Sequence, residues 1–109
     1  MNFIPGKANG GRIEMSGGTS IPLPGNAKAQ GNVILGVRPE HLAVSADGLP
    51  AEVVVVEPTG ADTQIFCKLA GADITAVVRE RHEFHPGESI RLAPQLTYLF
   101  DPASGARLA

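Results

Sequence analysis

The stretch AEVVVVE, residues 51–57, decides the fold class of this chain together with TQIFCKL, residues 63–69. Residues 53–56 are four consecutive valines, and branching at Cβ disfavours a helix and favours a strand. A run this apolar, between Pro50 and Pro58, predicts a central strand buried on both faces. In the second run apolar and polar side chains alternate, which predicts a strand with one buried face. The residues predicted on that buried face are Ile65, Cys67 and Leu69.

Short apolar runs recur along the rest of the chain and are separated by residues that favour turns. Gly10-Gly11, Asp47-Gly48 and Gly60 are examples, since glycine adopts backbone angles that turns require. No window of about eleven residues or more shows helical periodicity. We therefore predict an all-β fold, a small closed barrel or a sandwich. The further apolar runs are residues 2–4, 11–15, 19–23, 32–37, 42–45, 74–78, 89–93 and 97–100.

Length and charge narrow the class of protein. The chain has 109 residues, enough for one compact domain over residues 1–109, with sub-parts at residues 1–45 and 49–109 as a division to consider. Its net charge is −2, it has five aromatic residues (four Phe and one Tyr) and no tryptophan, and these features argue against nucleic acid as a partner. A single cysteine, Cys67, rules out an internal disulfide framework and favours the cytoplasm.

Three motifs that could carry catalysis or bind a metal are incomplete. Gly6-Lys7 resembles the end of a phosphate-binding loop, but Met1 and Ala8 stand where that loop needs a glycine and a hydroxyl residue. His82 and His85 could hold a metal only with a third ligand, which nothing nominates. Cys67 lies in an apolar strand and no serine has a glycine elbow. We predict no catalytic, cofactor-binding or metal-binding residue in this chain.

The stretch GVRPEHL, residues 36–42, collects charged residues at the end of an apolar run. Pro39 cannot continue a β-ladder and biases Arg38 to an extended conformation, after which one helical turn can form. Arg38 and Glu40 could pair with neighbours at this corner, or they could dock another protein surface. We predict Gly36, Pro39 and Gly60 as the residues that shape the turns.

LGVRPEHL, residues 35–42, closely resembles a signature in the C-terminal region of the ATP-binding subunits of ABC importers for sugars and related solutes, including glycerol 3-phosphate. The resemblance continues in the family's order over nearly the whole chain. Its other segments are MNFIPGK (residues 1–7), VEPTGADTQIF (56–66), PGESIRLAP (86–94) and YLFDPASGARL (98–108).

The resemblance implies a transport-associated (TOBE) regulatory domain with an OB-type barrel. The family's ATPase domain, which lies upstream and binds ATP and magnesium, is absent from this chain, so the chain alone should not hydrolyse ATP. The implied partners are a second copy of the subunit, the ATPase domain, the transporter's membrane subunits and, in some members, a regulatory protein. The resemblance also implies a position at the inner face of the plasma membrane. Arg38, Glu40 and His41 are the expected protein-contact residues.

A different class of function is an alternative. A free-standing barrel could bind a small oxyanion through the backbone N–H groups of a loop rich in glycine and hydroxyl residues. Residues 16–20, SGGTS, could form such a loop. The same residues also suit a solvated hairpin loop with no ligand.

Overall fold

The computed structural model describes residues 1–24, 29–79 and 83–108, and most of this backbone is extended. Two short 3₁₀ turns, Ser16–Gly18 and Pro39–His41, are the helical pieces of the described part. The prediction of an all-β fold is confirmed. The strands of the described part are β1 (Asn2–Asn9), β2 (Arg12–Met15), β3 (Ser20–Pro22), β4 (Gly31–Val37), β5 (Leu42–Pro58), β6 (Thr63–Leu69), β7 (Ala72–Val78), β8 (Ser89–Pro94) and β9 (Thr97–Phe100).

The strands form two antiparallel sheets that share one hydrophobic core. The first sheet has the order β3-β2-β1-β4-β9, and the second has the order β7-β6-β5-β8. Because β9 pairs with β4, the two ends of the chain meet in the same sheet. The inward side chains of both sheets belong to a single cluster. Its most completely buried members include Ile4, Ile13, Leu35, Ile65, Leu69, Leu92 and Leu99.

Strand β5 is longer than the sequence indicates. The predicted strands at residues 42–45 and 51–57 are parts of one strand, and Asp47-Gly48 does not end it. Instead the register shifts, because Val44 and Leu49 are both opposite Leu92 on β8. The residues between them form a bulge, where turn-favouring residues are also needed. The division considered at residues 46–48 lies inside this bulge.

The prediction that residues 53–56 are buried on both faces is wrong. Val53 is 1% exposed, but Val54 and Val55 are 46% and 43% exposed. A second shift of register, between Val53 and Val55 where β5 pairs with β6, interrupts the alternation of faces. The core covers one face of the second sheet only, so two valines face solvent. The central position of β5, between β6 and β8, is as predicted.

Two local predictions are confirmed. Ile65, Cys67 and Leu69 are all buried on the inner face of β6. Gly10 and Gly11 join β1 to β2 in a two-residue turn, with φ of 60° and 79°. Positive φ at both central residues gives a turn whose twist matches that of the strands it joins.

Candidate protein-contact site

The predicted corner lies between β4 and β5. Arg38 is extended, with φ −74° and ψ 147°, and Pro39 begins the 3₁₀ turn that follows. The His41 backbone N–H donates to the Arg38 carbonyl oxygen at 2.9 Å, and the His41 carbonyl oxygen accepts from the Gln95 N–H at 2.7 Å. Leu42 is 2% exposed and anchors the start of β5 in the core. The corner is therefore fixed by backbone hydrogen bonds and by one buried side chain.

Arg38 and Glu40 are both exposed at this corner. Within residues 1–24, 29–79 and 83–108, neither side chain forms an ion pair or a side-chain hydrogen bond. Pairing with neighbours is therefore not the arrangement that the described residues show. Both charges are available to a partner surface.

A groove of about 640 Å³ runs beside the corner. Asp62 and Arg79 line it with a hydrogen-bonded ion pair, in which Arg79 Nε lies 3.1 Å from Asp62 Oδ1. His41 also lines it, and the buried Nδ1 of that ring finds no hydrogen-bond partner among the described residues. The apolar part of the lining comes from Leu42, Ala43, Val77 and Val78.

Sequence reasoning missed Asp62 and Arg79. They are 17 residues apart and come together because β6 and β7 pair, with Thr63 opposite Val78. Opposite charges just outside two paired strands are the signal that could have found them. Gly60 lies in the turn that leads to Asp62, with φ 91°, and the Thr59 N–H donates to the Asp62 carbonyl oxygen at 2.8 Å. This turn and the corner therefore contribute to the same groove.

Gly36 does not shape a turn, contrary to the sequence prediction. It lies inside β4, opposite Phe3 on β1 and Tyr98 on β9. A Cβ at this position would lie 2.7 Å from Phe100 Cε2 and 2.7 Å from Met1 Sδ. These two side chains pack over the glycine, and a Cβ there would displace them.

The side chains that could act as a nucleophile or as metal ligands lie away from the groove or outside the described residues. Burial raises the pKa of the Cys67 thiol to about 11, so this cysteine is a poor nucleophile. Among the described residues no three His, Cys, Asp or Glu side chains cluster as metal ligands. His82 lies outside the described residues, whereas His85 is exposed and its backbone N–H donates to Glu88 Oε1 at 3.0 Å.

The loop at residues 16–20 is held by its own hydrogen bonds. The Met15 N–H donates to the Thr19 carbonyl oxygen at 2.8 Å, and Thr19 Oγ1 donates to the Ser16 carbonyl oxygen at 3.3 Å. Oxyanion binding by this loop stays a prediction. In the described part of the chain no helix has the length and apolar character needed to span a membrane.

Two sequence families match the chain, and their matched regions meet at the corner. The TOBE domain family matches residues 35–99, which is more than half of the chain. The chain belongs to the TOBE domain family. The MalK OB fold domain matches residues 1–42 of this TOBE domain, so both matches include the corner. The predicted OB-type fold is thereby confirmed.

Curated relatives of this TOBE domain are ATP-binding proteins. An uncharacterized ABC transporter ATP-binding protein of Sinorhizobium fredii is 43% identical over 100% of this chain and 31% of the relative. The sn-glycerol-3-phosphate import ATP-binding protein UgpC of a Ruegeria species is 36% identical over 100% and 32%. The sulfoquinovosyl glycerol transport ATP-binding protein SmoE of Agrobacterium fabrum is 34% identical over 93% and 31%. The TOBE domain spans about a third of the length of these relatives.

Proposed function

We propose that this TOBE domain is the regulatory and dimer-stabilising C-terminal domain of the ATP-binding subunit of an ABC importer for a carbohydrate or glycerol 3-phosphate. The observation that carries this proposal is the similarity to ATP-binding proteins of transporters over the full length of the chain. The parent subunit supplies the ATPase domain, with its ATP and magnesium, and joins the transporter's membrane subunits at the inner face of the plasma membrane. The TOBE domain itself catalyses nothing.

The corner is the part of the domain that we assign to contact with the second copy of the subunit or with a regulatory protein. Arg38 offers a planar fork of donors, and Glu40 offers a carboxylate two residues away. A corner fixed by backbone hydrogen bonds loses little freedom on binding, which favours its use as a contact. His41 Nδ1, which has no hydrogen-bond partner among the described residues, adds a polar atom that a partner group could satisfy.

The proposed role is mechanical. The domain adds contact area between two subunits while their ATPase domains open and close. A regulatory protein that binds one of these arrangements better than the other would shift the equilibrium by that difference in affinity. Each tenfold difference corresponds to about 1.4 kcal/mol. Inhibition of transport would then follow from binding alone, without chemistry on the domain.

The test compares two double variants of the full-length subunit in its transporter. In Arg38→Ala/Glu40→Ala we expect the dimer dissociation constant to rise about tenfold, since truncating two interface charges costs on the order of 1–2 kcal/mol. Sedimentation equilibrium of the full-length subunit measures the dimer dissociation constant. Phosphate release measures the ATPase rate of the transporter. Lys7→Ala/Glu14→Ala, at exposed positions of the first sheet that form no ion pair within the described residues, is the matched control. Equal behaviour of the two double variants would remove the corner from the proposal.

A further inference from the structure

Asn9 and Gly10 lie at the tip of the hairpin that joins β1 to β2. Gly10 and Gly11 form its two-residue turn, and Asn9 is opposite Arg12 in the last pair of the ladder. The hydrogen bonds that close such a turn join the two flanking residues, so the Gly10 N–H is directed to solvent. No acceptor for this N–H lies among the described residues. The Gly10 nitrogen is therefore available to react.

The side chain of Asn9 is also unhindered. It is exposed, and it forms no hydrogen bond with any described residue. Open space surrounds the turn, since a Cβ built on Gly10 or on Gly11 would have no atom within 4 Å. The Leu23 N–H donates to the Gly11 carbonyl oxygen at 2.9 Å, but this bond does not involve the peptide bond between Asn9 and Gly10. The Asn9 amide can therefore rotate toward the Gly10 nitrogen without displacing another described residue.

We propose that Asn9 is a deamidation site, an inference that does not rest on the proposed function. Asparagine is one of the thermolabile residues. The Gly10 nitrogen loses its proton to solvent and attacks Asn9 Cγ. The new N–Cγ bond closes a succinimide ring, the Cγ–Nδ2 bond breaks, and the amide nitrogen takes up a proton and leaves as ammonia. Water then opens the ring and gives aspartate where it breaks the new bond, or isoaspartate where it breaks the original peptide bond.

The other asparagines of the described part lack this combination of features. Both polar atoms of the Asn2 side chain are bound to Thr75, and Asn2 is only 8% exposed. Asn32 is exposed, but the nitrogen that would attack it belongs to Val33, which is 1% exposed within β4. A β-branched side chain at the following position hinders the approach of nitrogen to Cγ, whereas glycine has no side chain. Asn9 should therefore react first.

Deamidation places a new negative charge beside Arg12. Directly opposite residues project to the same side of a sheet, so a carboxylate at position 9 faces the Arg12 side chain. Arg12 Nε and Nη2 each lie 3.2 Å from Ser20 Oγ, and these bonds join β2 to the edge strand β3. A hydrogen bond to a carboxylate is stronger than one to a hydroxyl. The aspartate form therefore draws Arg12 from Ser20 and loosens β3.

Peptide mapping by mass spectrometry of the full-length protein tests the proposal. The folded protein is incubated at mildly alkaline pH in water enriched in heavy oxygen, and it is digested at acidic pH so that digestion forms no product. Replacement of the amide by a carboxyl group changes the mass of the peptide, and heavy oxygen in the product shows that it formed during incubation. Asn32 is the internal control in the same sample. We expect Asn9 to deamidate at least about tenfold faster than Asn32.

The same measurement in guanidinium chloride separates the effect of the fold from that of the local sequence. We expect the Asn9 rate to change by less than about threefold on unfolding, because the fold leaves the hairpin tip unhindered. The Asn32 rate should rise, because unfolding releases Val33 from β4. Equal rates at Asn9 and Asn32 in the folded protein would overturn the proposal. So would folding that slows Asn9 by about tenfold or more, since the tip would then be protected.

A pair of variants tests the effect on Arg12. Asn9→Asp carries the aspartate product from the start, and Asn9→Gln keeps a neutral amide at the same position. We expect hydrogen exchange at the Ile21 N–H of β3 to be several-fold faster in Asn9→Asp than in Asn9→Gln. Equal exchange in the two variants would show that the new carboxylate does not draw Arg12 from Ser20.

Discussion

The side chain of Asn2 binds the backbone of Thr75 in both directions. Asn2 Nδ2 donates to the Thr75 carbonyl oxygen at 2.7 Å, and Asn2 Oδ1 accepts from the Thr75 N–H at 2.8 Å. Asn2 belongs to β1 of the first sheet, whereas Thr75 lies on β7, at the edge of the second sheet. The amide therefore satisfies backbone groups that an edge strand otherwise leaves unpaired, and it joins the two sheets.

We predict that Asn2→Ala destabilises the chain by about 2–3 kcal/mol, because it leaves two backbone groups of Thr75 without partners. Asn2 is only 8% exposed, so water replaces these bonds poorly. Urea unfolding followed by circular dichroism gives the free energy of unfolding. Asn32→Ala, at an exposed position of β4, is the control and should stay within about 0.5 kcal/mol of the parent. If both variants unfold at the same urea concentration, the bond between the sheets contributes nothing.

Two buried glycines should respond differently to alanine. At Gly48 a Cβ would lie 2.5 Å from the Leu92 carbonyl carbon and 2.6 Å from the Leu92 nitrogen, so the backbone of β8 would have to move. At Gly36 the obstacles are side-chain atoms of Met1 and Phe100, which can rotate away. We expect a loss of about 3 kcal/mol for Gly48→Ala and about 1 kcal/mol for Gly36→Ala. Thermal unfolding of both variants measures the order, and the reverse order would contradict this packing.

The buried thiol predicts a dependence of stability on alkaline pH. Burial raises the pKa of Cys67 from 9.0 to about 11, so the unfolded chain loses this proton first. Below pH 9 the protonated thiol makes its full contribution to the free energy of unfolding. This contribution is lost as the pH rises from 9 to 11. At pH 10 the loss is about 1.4 kcal/mol.

Cys67→Ala removes that titration but also deletes a buried sulfur. The informative quantity is therefore the difference in unfolding free energy between parent and variant, measured at pH 8 and again at pH 10. We expect this difference to shrink by about 1.4 kcal/mol at the higher pH, because other alkaline groups titrate equally in both proteins. A difference that is constant with pH would show that the thiol titrates alike in the folded and unfolded chain.

The turn after β9 should hold the pKa of Asp101 below its ordinary value. The Ser104 hydroxyl donates to Asp101 Oδ2 at 2.7 Å, and the Ala103 N–H donates to Oδ1 at 3.4 Å, both of which favour the ionised carboxylate. Ser104→Ala removes the larger cause, so we expect the pKa to rise. Carbon NMR titration of the carboxyl group measures it, with Ser45→Ala as control. An unchanged pKa would mean that the hydroxyl does not stabilise the charge.

Local patterns predicted most of the strands and the corner. The alternation in β6, the glycine pair after β1 and the proline in the corner act through the residues beside them, and all three lie where the sequence places them. Local patterns did not predict β5 as one continuous strand, because its two bulges are set by pairing with β6 and β8. Asp47-Gly48 favours a turn or a bulge equally, and only the neighbouring strand distinguishes the two.

The candidate site likewise has one part that local sequence predicts and one part that depends on strand pairing. Arg38, Glu40 and His41 are adjacent in sequence, so their position at one corner follows from Pro39 alone. The opposite wall of the groove, with Asp62 and Arg79, exists because β6 and β7 pair in one register. A shift by one residue in that pairing would turn the side chains of a strand to the opposite face.

The sequence by itself determined the all-β class, the position of the corner and the family signature, since alternation, β-branching and turn residues act over a few neighbouring positions. The tertiary structure alone decided that Val54 and Val55 face solvent, that Asn2 binds Thr75 and that Met1 and Phe100 pack over Gly36. Each of these depends on which residues lie opposite one another across distant strands. That register is fixed by burial of the shared core, a property of the whole chain that no short segment carries.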